Sequence, residues 1–125
     1  MIWERQFQKH DVESVVLPAS LREIREDAFR HCANLKEIHF HKQCNIETLS
    51  KNCFCESGLE TFVAPPSLRK IENAAFYGCK ALKTVVLNEG LLKLGDDGDT
   101  GVFYGSGLER IALPKTLRQI GYFTF

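Results

Sequence analysis

The chain carries little bulk signal for any chemistry. Its 16 basic and 16 acidic residues cancel, so no net field would draw it to nucleic acid or to an acidic membrane surface. No apolar run approaches the roughly 18–20 residues that cross a bilayer as a helix, which argues against membrane insertion. The opening residues, Met1-Ile2-Trp3-Glu4-Arg5, lack the basic start and apolar core of a signal peptide. The cysteines number 5, an odd set that argues against a fully paired secreted framework.

What remains is an ordinary globular composition, 44% hydrophobic and 26% charged over 125 residues, enough for one domain or a piece of one. Its order is not ordinary. The stretch from Leu59 to Ala81, LETFVAPPSLRKIENAAFYGCKA, recurs along the chain, and a fixed period of this size marks a repeat architecture. The opening position is filled by Val12, Leu35, Leu59, Leu82 and Leu108, and the third residue on by Val15, Ile38, Phe62, Val85 and Ile111. Two further on stand Leu17, Phe40, Ala64, Leu87 and Leu113. After a break come Leu21, Ile46, Leu68, Leu91 and Leu117, each followed at the third residue by Ile24, Leu49, Ile71, Leu94 and Ile120. The last column is all phenylalanine: Phe29, Phe54, Phe76, Phe103 and Phe125. Ile2 and Phe7 keep the spacing of Ile24 and Phe29.

Within a unit, alternation predicts a short strand, as in Leu35 to Phe40, with Ile38 and Phe40 inward and Glu37 and His39 outward. Pro18, Pro65 and Pro114 follow three such strands and stop their pairing. The step Leu68-Arg69-Lys70-Ile71 crosses to the opposite wall, where a second short strand is expected. The segments 27–32 and 73–79 read as one helical or 3₁₀ turn. Gly58, Gly78, Gly105 and Gly107 sit where the chain bends before the next strand. One unit cannot bury its own Leu, Ile and Phe; stacked units bury them as continuous columns.

These residues closely resemble the leucine-rich repeat 5 group, the BspA-like repeats, whose units run about 23 residues and place L-x-x-I-x-L-P, L-x-x-I and A-F-x-x-C in order. Val15 to Cys32 (VVLPASLREIREDAFRHC) and Thr61 to Cys79 match well. The resemblance implies a curved, right-handed leucine-rich-repeat solenoid, mainly β, of about five units, with a parallel sheet on the concave face. It also implies a surface or secreted protein associated with adhesion and partner binding, and it brings no catalytic residues and no cofactor.

The expected layout is a single array over 1–125: a partial unit 1–11, units 12–34, 35–58, 59–81 and 82–107, and a partial unit 108–125. His41 to Asn45 and Gly95 to Gly101 are insertions, read as loops bulging from one edge. Neither end offers a polar cap, so the chain is expected to be a fragment of a longer array, with end-to-end stacking of copies as the alternative.

The outward column, Val16, His39, Val63, Val86 and Ala112, flanked by Ser14, Glu37, Thr61, Thr84 and Arg110, is the candidate partner-binding stripe, since exposed apolar patches often mark interaction sites. Cys32 and Cys79 read as buried small hydrophobes. Cys44, Cys53 and Cys55 with His39 and His41 do not match the pair spacings of zinc folds; Cys53 is expected inward and Cys55 outward. The Asp residues of the Gly95–Gly101 loop lack the long ligand series of a calcium loop and the GK[ST] of a phosphate loop. Nothing places Ser, His and Asp as a triad. The reading is a non-enzymatic protein-recognition module binding through its sheet. A structural spacer in a larger surface protein, or an intracellular scaffold, is the alternative.

Overall fold

The computed structural model describes residues 12–98 and 100–125; the Ile2–Phe7 pair and the partial unit 1–11 lie outside the described residues. The chain winds as a β-solenoid of about five turns, with eight short strands among the described residues: β1 (Ser14–Leu17), β2 (Glu37–Phe40), β3 (Thr48–Leu49), β4 (Thr61–Val63), β5 (Lys70–Ile71), β6 (Thr84–Val86), β7 (Lys93–Leu94) and β8 (Gln119–Ile120). Every strand pairing is parallel, as successive turns of one winding require.

Each turn contributes to three walls. The L-x-x-I-x-L segment builds the first, with β1 on β2 and β4 on β6. The following L-x-x-I step builds the second, where β3, β5, β7 and β8 form a four-stranded sheet that Ile24 extends by a bridge to Leu49. The second wall is therefore the more continuous of the two. The expected single sheet on the first wall is split. β2 and β4 lie side by side, and the Glu60 N–H donates to the Lys36 carbonyl at 3.0 Å, but no ladder joins them. At this break stands the one ring of the column Leu17, Phe40, Ala64, Leu87 and Leu113: Phe40 packs edge-on against Phe62 of the next turn (5.9 Å, 89°). The expected fifth strand is also missing: residues 108–113, including Arg110 and Ala112, form no strand. Leu108 and Ile111 still pack on the core, yet this segment has a neighbouring turn on one side only.

The third wall corrects the expectation of a helical turn. Four of the five described turns carry a left-handed residue two places before the phenylalanine, at Asp27 (φ 62°), Asn52 (59°), Ala74 (59°) and Phe123 (55°); the turn of Phe103, with Gly101 at that place, does not. Another follows two places after the phenylalanine, at His31 (61°), Glu56 (54°), Gly78 (67°) and Gly105 (73°). This alternation turns every second amide out of the turn and toward the next one. The Phe29 N–H donates to Cys53 O at 2.7 Å, Phe54 to Ala75 at 2.9 Å, Phe76 to Val102 at 2.9 Å and Phe103 to Thr124 at 2.8 Å. The intervening amides close local turns, as Arg30 N–H does to Asp27 O at 3.2 Å. A helix would have spent all of these donors within the turn; here half of them bind the stack together.

Between the walls runs the core. Phe29, Phe54, Phe76 and Phe103 are buried and stack nearly parallel, with centroid spacings of 5.3, 5.5 and 5.3 Å. Phe125 continues the row at 5.8 Å. The residue before each phenylalanine, Ala28, Cys53, Ala75 and Val102, is buried as well, so the small column lies against the ring column. Hydroxyls lock neighbouring turns at the corner before the second wall: Ser67 Oγ donates to Ile46 O at 2.7 Å and Thr116 Oγ1 to Leu91 O at 2.9 Å.

Neither insertion simply bulges outward. Cys44 of the first is buried with its thiol 3.8 Å from Ser67 Oγ. The second is tied to the preceding turn by Asn73. Its Oδ1 accepts from the Asp96 N–H at 3.0 Å and its Nδ2 donates to Asp96 Oδ1. The same carboxylate oxygen accepts from the Gly98 N–H at 3.0 Å.

Candidate functional site

Period-two alternation places one residue of each pair in the core and its neighbour in solvent. On the first wall Val15 pairs in register with Ile38 and Phe62 with Val85, and these face inward. Their neighbours face out. Val16 stands opposite His39 and Ser14 opposite Glu37; Val63 stands opposite Val86 and Thr61 opposite Thr84. Val16, Val63 and Val86 are 74%, 57% and 51% exposed, a large degree for β-branched apolar side chains within paired strands. His39 interrupts the row and is engaged within its own strand, its Nε2 lying 3.1 Å from Glu37 Oε2. Arg110 and Ala112 are exposed too, but they sit on the segment without ladder bonds, so the ordered part of the stripe ends at Val86.

Sequence reasoning missed a groove that cuts this face. Where β2 and β4 part, a cavity of about 380 Å³ opens, lined by His39, Phe40, Lys42, Val63 and Pro65 among others. Two signals in the sequence mark the place: the small Ala64 opposite the large Phe40, and the insertion that begins at His41 directly after β2. The groove and the flanking valines make one surface, apolar at its centre and basic at one rim.

The cysteines do not form a reactive cluster. Cys32, Cys44, Cys53, Cys55 and Cys79 are all buried thiols. Burial pushes Cys32 up to about 11 and raises Cys53 and Cys79 as well. Cys79 also donates to Phe54 O at 3.0 Å. Cys55, expected to point outward, stands outside the core cluster and is nonetheless buried, with Arg30 and Tyr77 at the same position in the turns on either side. Its pKa, too, is pushed up to about 11 by burial, with the Arg30 charge opposing the shift. Such thiols stay protonated and unreactive at neutral pH. Among the described residues no three His, Cys, Asp or Glu side chains gather as a metal-ion cluster, and no helix is long and apolar enough to cross a membrane.

No curated protein and no solved structure matches the chain. The family model of the BspA-type leucine-rich repeat region matches in 6 copies across residues 1–125. That match spans every turn described above, and the chain therefore belongs to the BspA-type leucine-rich repeat family.

Proposed function

We propose that the chain is a non-enzymatic module that recognises another protein through the outward face of its first wall. The observation that carries this reading is the row of Val16, Val63 and Val86, exposed at 74%, 57% and 51% beside the buried inward residues Leu17, Phe62 and Val85. Apolar side chains in an ordered row lose water on contact with a partner, at roughly 25 cal/mol per Å² buried, and repeat solenoids use such extended surfaces for binding. Glu37, His39, Thr61 and Thr84 frame the row as a polar rim, and the groove beside Phe40 offers a socket for an apolar anchor, the arrangement in which a few central residues dominate affinity. Arg110 and Ala112 extend the face at its looser end.

The test uses the immobilised chain to capture proteins from extracellular-matrix and cell-surface preparations, followed by affinity measurement on the captured species. Val63→Glu and Val86→Glu should each weaken the complex about tenfold or more while leaving the thermal midpoint in place, since both side chains already face solvent. Equal capture by wild type and both variants would remove the first wall as the binding face.

A further inference from the structure

The third wall carries a second surface that the first-wall reading does not use. The residue after each core phenylalanine points away from the core, and successive turns place Arg30, Cys55, Tyr77 and Tyr104 there. Tyr77 and Tyr104 stack 5.9 Å apart and nearly parallel, at 8°, so their edges face outward as a ridge. A groove of about 470 Å³ runs along this row, lined by Arg30, Asn52, Tyr77, Thr100, Tyr104 and Phe123 among others. Another of about 460 Å³ lies against the same tyrosines and adds Lys80. Thr100 comes from the insertion that Asn73 pins in place, and insertions in repeat proteins often build the binding face.

Arg30 is short of acceptors. A guanidinium carries five N–H donors. Among the described residues its one acceptor is Asp27 Oδ1, at a long 3.4 Å, and its Nε is sealed from solvent with no partner. The side chain as a whole is 34% exposed and lines the groove. The acid that lines it, Glu56, is turned to His31, whose Nδ1 lies 2.8 Å from Glu56 Oε2. It is therefore already engaged, and it does not supply the missing acceptor.

We propose that this groove binds an extended peptide of a partner protein, one that sets a carboxylate against Arg30 and an aromatic ring, three residues along, against Tyr77 and Tyr104. A carboxylate matches the guanidinium fork bidentately. A ring laid over the outward tyrosine edges makes the favoured edge-to-face contact. The spacing follows from the fold: Arg30 and Tyr77 are two turns apart, about 10 Å at roughly 4.8 Å per turn, which three residues of extended chain span at about 3.3 Å each. The site is independent of the first wall.

The probe is the fluorescein-labelled peptide Ser-Glu-Ser-Ser-Trp-Ser, titrated by anisotropy and followed by amide chemical shifts. It should bind and shift the amides of Cys55, Tyr77 and Tyr104. Replacing its Glu with Gln, moving its Trp next to the Glu, or introducing Arg30→Gln or Tyr104→Ser should each weaken binding about tenfold. Arg30→Lys, which keeps the charge but loses the fork, should also fall below wild type, and circular dichroism confirms that each variant is folded. The first-wall variants Val63→Glu and Val86→Glu should bind the peptide as wild type does. Absence of binding at millimolar peptide overturns the proposal. So does affinity indifferent to Arg30→Gln or to the peptide's Glu, or shifts confined to the first wall. A glucuronate oligosaccharide that moves the same amides when the peptide does not would overturn it equally.

Discussion

Phe62 and Phe76 meet ring to ring, with centroids 4.8 Å apart and planes at 61°. Phe62 also lies 6.0 Å from Phe54, so this first-wall residue wedges against two neighbours in the ring column of the third wall. The contact joins two walls of one turn and, through Phe54, two turns of the stack.

Truncation should therefore cost most at this junction. Phe76→Ala is expected to lower stability by about 3–5 kcal/mol, enough to unfold much of the chain. Phe125→Ala should cost far less, because that ring is 58% exposed. Urea denaturation of both variants checks the difference. The double variant with Phe62→Ala should reveal a coupling of about 0.5–1.5 kcal/mol.

Adjacent alanines make a sharper comparison. Ala74 is held at φ 59°, a conformation that costs an L-residue about 1–2 kcal/mol, whereas Ala75 has ordinary backbone geometry and is fully buried. Glycine relieves the first and only weakens the second. Ala75→Gly should be more destabilising than Ala74→Gly by about 1–2 kcal/mol, read from paired unfolding curves.

Gly58 lies where one turn crosses the previous one. A Cβ there would sit 2.0 Å from the Ala33 carbonyl oxygen, a backbone atom that cannot rotate away. Gly58→Ala should cost about 1–3 kcal/mol. Ala81, the equivalent residue one turn on, already carries a side chain and is exposed, so Ala81→Gly should change the midpoint little.

Alkaline pH should loosen the stack through its thiols. Cys32 and Cys55 are raised from the ordinary 9.0 to about 11 in the folded chain. Below pH 9 folded and unfolded chains both keep these protons, and the stabilisation is fully present. Above it the unfolded chain gives them up first, so stability falls as pH rises from about 9 to about 11. Cys32→Ala and Cys55→Ala should each flatten that decline. Iodoacetamide at neutral pH should label the folded chain slowly and the urea-unfolded chain fast.

Removing the Asn73 clasp should release the second insertion without melting the core. In Asn73→Ala the Asp96 amide loses its acceptor, and the carboxylate that orients Gly98 loses its donor. Hydrogen exchange at Asp96 and Gly98 should quicken, while Phe76 and Phe103 stay protected.

The columns were legible because periodicity reports which side of a strand faces in, and that is a property of the chain itself. Leu59, Leu68, Ile71 and Phe76 are buried as the spacing requires. What escaped was decided between turns. Cys55 stands outside the core cluster and is buried all the same, with Arg30 and Tyr77 at its position on the adjacent turns. The break between β2 and β4 coincides with Phe40 meeting Phe62, a contact across turns that period-two reasoning does not include. On the third wall Asp27, His31 and Asn52 are of the types that best tolerate a left-handed backbone, but Glu56, Ala74 and Phe123 are not, so residue identity alone does not announce the pattern that the ladder to the next turn imposes. The same limit applies to the third-wall groove, whose floor is one residue from each of several turns.

The hydrogen bonds that join turns on all three walls lie along the axis of the winding. A pull on the two ends would therefore load them one row at a time, as a zipper is loaded, rather than together in shear. Each turn of about 23 residues that peels away would convert roughly 4.8 Å of stack into about 75–80 Å of extended chain. Under tension the array would behave as an extensible tether, lengthening in steps while the turns still stacked keep their ordered faces.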